Sequence, residues 1–294
     1  MTNSGNTLVQ KEAFIKLALE ILGPYQERLQ KIFSSSLELL GVDSEMRRAC
    51  SYAMSSGGKR LRPAIVWMVA EALHSETNVD LAALAIEFFH ISSLVTDDLP
   101  CMDNDDFRRG VPTTHKEFSE QTALLASFAL TAAGFEGLAS LKIPQENSYK
   151  ILKTLVARAS RAIGGPGLIG GQYLDLNPPL VTKQVLEEIF DRKTCVLFDL
   201  AFVFGWLLGG GDFEKLPEVS NLATCFGRPF QILDDIEDMA QDKAANKRIN
   251  FALCFGEEAA KQEARDYIDK FVALAKELGL GESPLLTLTL AMRP

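Results

Sequence analysis

The sequence predicts an all-α fold, and three observations predict it. Hydrophobic residues make up 47% of the 294 residues, with Ala and Leu prominent among them, and both are strong helix formers. Long apolar runs recur at helical spacing. Alternating runs of β-branched residues are nearly absent, so no convincing sheet is expected.

The elements follow in order. Residues 8–22 and 25–42 read as amphipathic helices parted by Gly23-Pro24, because proline removes a backbone donor inside a helix. A third helix starts near Arg60, with Pro63 in its first turn, where proline is tolerated. Residues 79–98 form a strongly apolar helix, and Pro112 breaks the chain beyond it. Helices over about 118–141 and 146–163 end at the break Gly164-Gly165-Pro166-Gly167, and Gly170-Gly171 makes a second break. Residues 182–208 and 214–240 are long apolar helical runs. Helices at about 251–279 and 282–291 complete the chain. No internal repeat, low-complexity tract or long linker divides it. One all-α domain over 1–294, with roughly ten or more helices, is expected.

Charge and composition exclude several classes. A net charge of −9 argues against a nucleic-acid partner. No apolar run reaches the roughly 18 uncharged residues of a membrane span, so none is expected. Met1 to Gln10 is polar and does not read as a signal peptide. The five cysteines (Cys50, Cys101, Cys195, Cys225, Cys254) form no C-x-x-C pair and read as reduced thiols of a cytoplasmic protein.

Two aspartate clusters carry the chemistry. The first is Asp97-Asp98-Leu99-Pro100-Cys101-Met102-Asp103-Asn104-Asp105-Asp106-Phe107-Arg108-Arg109-Gly110. The second is Phe230-Gln231-Ile232-Leu233-Asp234-Asp235-Ile236-Glu237-Asp238. Carboxylates in apolar helical contexts repel one another and resist burial unless a cation neutralises them. Oxygen-only clusters suit Mg²⁺, which takes one or two carboxylates plus waters and substrate phosphates. Two such walls across a cavity would hold a diphosphate. An acidic run at a helix end is more often a solvated surface, but here two runs occur, one followed by Arg108-Arg109. An EF-hand loop does not fit the spacing.

Asp234 and Asp238 share a helix face, whereas Asp235 points about 100° away and would act through water. Asp97 and Asp103 diverge by roughly 120° on a straight helix, so a helix end at Pro100 is needed to bring Asp103 back. Asp98 completes the metal candidates of the first cluster, and Asp105 and Asp106 read as solvated. The arginines Arg108 and Arg109 read as partners for phosphate rather than for the aspartates. Gly57-Gly58-Lys59-Arg60-Leu61-Arg62-Pro63 leads into a helix start that favours an anion, though a surface turn reads equally well. Lys193-Thr194 interrupts an apolar helix, and the lysine either snorkels or enters the cavity. His90 lies two turns before Asp97 on the same face, where a satisfied core histidine is the plainer reading. Gly171-Gln172-Tyr173-Leu174-Asp175-Leu176 sets two polar side chains in an apolar stretch without an assignable role.

With these motifs the chain resembles the trans-isoprenyl diphosphate synthases, the head-to-tail prenyltransferases. It looks closest to the geranylgeranyl diphosphate synthases of plant and bacterial type. The resemblance rests on GGKRLRP at 57–63, DDLPCMDNDDFRRG at 97–110, PTTHKEF at 112–118, GGQYLDL at 170–176, KT at 193–194 and FQILDDIED at 230–238. It implies helices around a deep central cavity, a homodimer and three Mg²⁺ ions, two held by Asp97 and Asp103 and the third by Asp234. It implies an allylic diphosphate bound with Arg108, Lys193, Thr194 and Gln231. Isopentenyl diphosphate would be held by Lys59, Arg62, His90 and Arg109. Product length in such enzymes follows residues before the first aspartate. Small Ser92 and Ser93, with Phe88 and Phe89 as a floor one turn deeper, predict a C20 product over C15. The stretch Met239 to Phe251 is shorter than the family's usual loop; Lys247 best matches its surviving lysine and would join the allylic-diphosphate set, with Lys243 placed to compensate. A farnesyl diphosphate synthase, a terpene cyclase and a non-catalytic partner subunit are the alternatives. The residues Lys59, Arg62 and His90 and the Asp-rich second motif set this chain apart from a cyclase, and both intact motifs set it apart from a partner subunit.

Overall fold

The computed structural model describes residues 3–144, 146–244 and 249–294. Its helices are α1 (Asn3–Ser35), α2 (Glu45–Ser55), α3 (Leu61–Ala72), α4 (Asp80–Asp97), α5 (Thr114–Glu117), α6 (Glu120–Ala139), α7 (Ser148–Ile163) and α8 (Leu168–Leu176). They continue with α9 (Lys183–Ile189), α10 (Val196–Leu208), α11 (Leu216–Glu237), α12 (Met239–Ala244), α13 (Phe251–Phe255), α14 (Glu257–Glu277) and α15 (Pro284–Ala291). Side-chain caps start several of them. Ser44, Ser119, Thr182 and Asn250 accept from the backbone N–H three residues on, satisfying an orphan donor at each start. The fold is all-α, with more than ten helices among the described residues.

The centre of the molecule is α4 and α10. α4 packs on α6 and α3, and α10 packs on α3, α7 and α11. From Leu200 to Leu208 every residue of α10 is buried. Phe198 and Phe202 meet Phe226 of α11, which meets Phe271 of α14, with ring centroids between 5.2 and 5.9 Å. Each such buried side chain stabilises the fold by roughly 1.5–3 kcal/mol. A smaller cluster of Leu186, Phe190, Ile232, Phe251, Ala252, Ala260 and Ala264 packs α9, α13 and α14 behind α11.

Several expectations need correction. Gly23-Pro24 does not divide α1, because Leu22, Leu29 and Phe33 are buried along it and tertiary burial outweighs one lost hydrogen bond. The helix expected at 25–42 stops at Ser35, and α2 was not foreseen, although Ser44 and the spacing of Ala49, Cys50, Ala53 and Met54 mark it. The run 182–208 is split by a π-helical segment at Phe190–Cys195, and 251–279 is split at Gly256, which has φ 91°. A two-residue antiparallel ladder joins β1 (Phe107–Arg108) to β2 (Val111–Pro112). Among the described residues one helix, α6, is long and apolar enough to cross a membrane, since only Glu120 and Glu136 charge it. One face of it packs on α4 and α2, as a core helix does.

Candidate active site

A cavity of about 920 Å³ opens between α1, α3, α4, the π segment and α11. Helical periodicity decides which side chains of α4 reach it: Glu87, His90, Ser93, Leu94 and Asp97 form one stripe. α4 ends at Asp97, and the chain turns back on itself. The N–H of Asp103 donates to the carbonyl of Asp97 at 2.9 Å, and Asn104 takes φ 55°. The turn brings Asp103 to the cavity beside Asp97. Burial raises the Asp97 carboxyl to about 6, with Lys193 opposing and Asp103 adding to the rise.

The facing wall is the end of α11, which presents Phe230, Gln231, Asp234 and Glu237. Burial also raises Asp234 to about 6, against the pull of Lys59 and with the push of Glu237 and Asp238. Glu237 was missed in the sequence, although its i+3 spacing from Asp234 placed it on that face. Asp238, expected to share the metal face, is exposed at the C-terminal cap and does not line the cavity.

A cationic end completes the cavity. Gly57, Gly58 and Arg60 all have positive φ, and α3 begins directly after them. Gly58 sits at φ 112°, a backbone conformation that glycine takes without strain, and the Arg109 guanidinium packs into the space a side chain would take. Arg109 donates to the carbonyl of Gly57. Arg60 pairs with buried Glu87. Arg62 stacks over Phe198 at 4.4 Å and lies 3.5 Å from His90 Nε2. Its Nε is buried without a protein partner, and burial pushes the guanidinium down to about 10. Burial and the surrounding arginines hold His90 well below its ordinary value, so it is neutral. Buried cations in excess call for an anion. Lys59 sits over the Phe230 ring at 5.4 Å, at the junction of this end with Asp234.

Lys193 and Thr194 enter the cavity from the π segment. Lys193 pairs with Asp175 of α8, and although burial would lower it, Asp175 and Asp97 hold it above its ordinary value. This gives Asp175 a role the sequence did not reveal. Gln172 is buried, its amide lacks a protein partner, and it does not line the cavity.

Four site expectations are corrected. Arg108 lines the cavity but grips Asp98, its Nε 2.7 and 2.9 Å from the two carboxylate oxygens, so it does partner an aspartate, and Asp98 itself does not line the cavity. Asp235 points to the back of α11, where it accepts from the N–H of Phe251 at 2.6 Å, rather than acting through water in the cavity. Ser92 turns to α6, its hydroxyl donating to the carbonyl of Ser127 at 2.9 Å. Phe89 packs on Phe135 and Phe88 on Phe33, so of the four chain-length candidates only Ser93 lines the cavity. Lys247 lies outside the described residues.

The donor set suits Mg²⁺. Asp97, Asp103, Asp234 and Glu237 offer only oxygen, and two of these carboxyls are pushed up by burial, which a cation would reverse. Mg²⁺ takes one or two carboxylates and fills its other positions with water and substrate-phosphate oxygens, and the few carboxylates lining each wall match that pattern.

A family model described as polyprenyl synthetase matches residues 43–251. This chain belongs to the polyprenyl synthetase family. It is 34% identical over 293 residues to geranylgeranyl pyrophosphate synthase 3, chloroplastic, of Arabidopsis thaliana, covering 94% of this chain and 76% of that one. Another relative from the same plant, geranylgeranyl pyrophosphate synthase 7, chloroplastic, is 37% identical over 249 residues, covering 79% and 70%. Among solved structures, a geranyltransferase from Legionella pneumophila superposes with a TM-score of 0.81 at 28% identity, covering 95% of this chain and 97% of that one. An FPP/GFPP synthase from Zymomonas mobilis gives 0.79 at 29% identity, covering 92% and 98%. This polyprenyl synthetase is a prenyltransferase, and its reaction is prenyl chain elongation.

Proposed function

We propose that this prenyltransferase joins isopentenyl diphosphate to an allylic diphosphate with Mg²⁺, and that its product is geranylgeranyl diphosphate. One observation carries the reading: two carboxylate walls, Asp97 with Asp103 and Asp234 with Glu237, face one cavity whose other end is cationic. Asp97, Asp103 and Asp234 would hold Mg²⁺, three ions by family resemblance, and the metal would supply positive charge to the departing diphosphate. Lys193 donates to that diphosphate, assisted by Thr194 and Gln231, and stabilises the charge that develops as the allylic C–O bond breaks. Lys59, Arg62 and Arg109 grip isopentenyl diphosphate, and neutral His90 adds a hydrogen bond without repelling the arginines. The double bond of isopentenyl diphosphate attacks the allylic cation, and a proton then leaves to the released diphosphate. Apolar lining from Leu22, Leu94, Leu168, Leu197 and Phe230 excludes the water that would quench the cation.

The C20 product is supported by the plant relatives' names, since the expected Phe88–Phe89 floor does not line the cavity. The names FPP/GFPP synthase and geranyltransferase on the structural neighbours keep C15 as the second reading. Incubation with Mg²⁺, isopentenyl diphosphate and each allylic diphosphate in turn, followed by chromatography of the dephosphorylated products, decides between them. The expected result is C20 from every accepted starter. A product that ends at C15 overturns the C20 assignment, and no product from any starter overturns the reading as a whole. We also propose one domain over 1–294, a homodimer built on the exposed face of α6, and a reducing cytoplasm, supported by free cysteines among the described residues.

A further inference from the structure

Behind the second carboxylate wall, a line of hydrogen bonds leaves the cavity and ends at a side chain that no substrate can touch. Thr194 Oγ1 donates to Gln231 Oε1 at 2.8 Å. Gln231 Nε2 donates to Asp235 Oδ1 at 2.9 Å. The other oxygen of Asp235 accepts the N–H of Phe251. Asn250 Nδ2 then donates twice, to the backbone carbonyl of Asp235 at 2.8 Å and to Asp242 Oδ2 at 3.0 Å. Asn250 is fully buried and Asp235 is 6% exposed.

The direction of this line matters for the chemistry. A glutamine amide donates at one end and accepts at the other. One oxygen of Asp235 is held by the Phe251 N–H and the other accepts from Gln231 Nε2, which leaves Oε1 to take the Thr194 proton. Gln231 lines the cavity, and Nε2 carries a second hydrogen that a diphosphate oxygen, which only accepts, can use. The amide therefore works in this orientation only while Asp235 stays in place. Asp235 belongs to the last turn of α11, whose final carbonyls lack helical partners. Asn250 satisfies one of those carbonyls with Nδ2 and caps α13 with Oδ1, which accepts from the N–H of Leu253 at 2.8 Å. One side chain thus locks the end of the motif helix to the start of the next.

We propose that Asn250 is a positioning residue for the allylic diphosphate, acting through Asp235 on Gln231 and Thr194. The inference rests on the assignment of the Lys193–Thr194–Gln231 side to that substrate. Asn250→Ser tests it, because a serine hydroxyl still caps α13 while both amide donations are lost. The expected result is a rise of about ten-fold in KM for the allylic diphosphate. KM for isopentenyl diphosphate should stay within about two-fold, and the circular dichroism of the helices should not change. Asn250→Asp keeps the shape and the cap but sets an oxygen against two acceptors, and should raise the same KM further. In a background already carrying Gln231→Ala, Asn250→Ser should add nothing to the allylic KM, as expected for residues acting in series. An unchanged allylic KM in the folded variant, an equal rise in both KM values, or a full additive effect on Gln231→Ala overturns the proposal. Lys193→Ala serves as the control on the assignment beneath it. If that variant leaves the allylic KM unchanged, the assignment fails, whatever Asn250 does.

Discussion

Asp97 and Asp234 each lie in surroundings that disfavour their charge. Burial lifts both carboxyls from 3.8 to about 6 even though lysines stand nearby. The folded protein therefore binds protons that the unfolded chain releases between about pH 4 and pH 6. Stability from these groups is present below pH 4, falls as pH rises through 6, and stays low above it. Each charged carboxylate costs the ligand-free protein at most about 3 kcal/mol at neutral pH. Asp97→Asn or Asp234→Asn removes that cost and also removes a metal ligand. Each variant should melt a few degrees above the parent at pH 7.5 without ligands, and near the parent at pH 4. Each should also lose about a thousand-fold or more in kcat. Mg²⁺ with inorganic diphosphate should raise the parent's Tm more at pH 7.5 than at pH 5. A less stable Asn variant at pH 7.5, or one with near-normal turnover, would show that these carboxylates do not form the strained cation site described above.

At the scale of elements, the π segment at Phe190–Cys195 decides where Lys193 and Thr194 point. A helix tuned to 3.6 residues per turn would carry them around its axis differently, and π turns concentrate at functional sites. Gly171 of α8 lets that segment come close. A Cβ on Gly171 would lie 2.7 Å from the backbone N of Lys193 and 2.9 Å from the carbonyl carbon of Arg192. Gly171→Ala should push the segment outward, costing about 1–3 kcal/mol of stability and raising KM for the allylic diphosphate more than KM for isopentenyl diphosphate. Thermal unfolding and steady-state kinetics check the two effects, and equal shifts in both KM values would count against this packing role. Both GGQYLDL and KT were visible in the sequence, yet their contact was not. Periodicity reports the face of a helix, whereas a π turn and a glycine-mediated approach depend on the neighbour across the gap. The same limit explains Asp98 and Asp235. Spacing gave their angles on a helix, but not that Arg108 and the Phe251 N–H would claim them.

For the molecule as a whole, the helical class and the α4 run into the aspartates were legible because a strong apolar pattern needs no partner to be read. Interruptions set by tertiary burial, such as the continuous α1 across Pro24, were not. The face of α6 marks where the sequence pattern and the single chain disagree. Leu125 and Phe128 are 55% and 63% exposed, and Leu124 joins them on a helix apolar enough to cross a membrane. Apolar exposure of this kind is what the proposed homodimer would cover. A twofold pairing of α6 with its copy would bury each patch against itself, as an isologous contact requires. The face opposite the patch belongs to α4, the helix that ends at Asp97, so pairing would stiffen one carboxylate wall from behind. Phe128→Glu sets like charges against each other across such a contact. The parent should elute in light-scattering chromatography at twice its 32.3 kDa mass, and the variant at that mass itself. If the homodimer rests on this face, the variant's dissociation should also lower its Tm and its kcat together. A parent that runs as a monomer, or a variant that stays dimeric with full activity, would remove α6 as the interface.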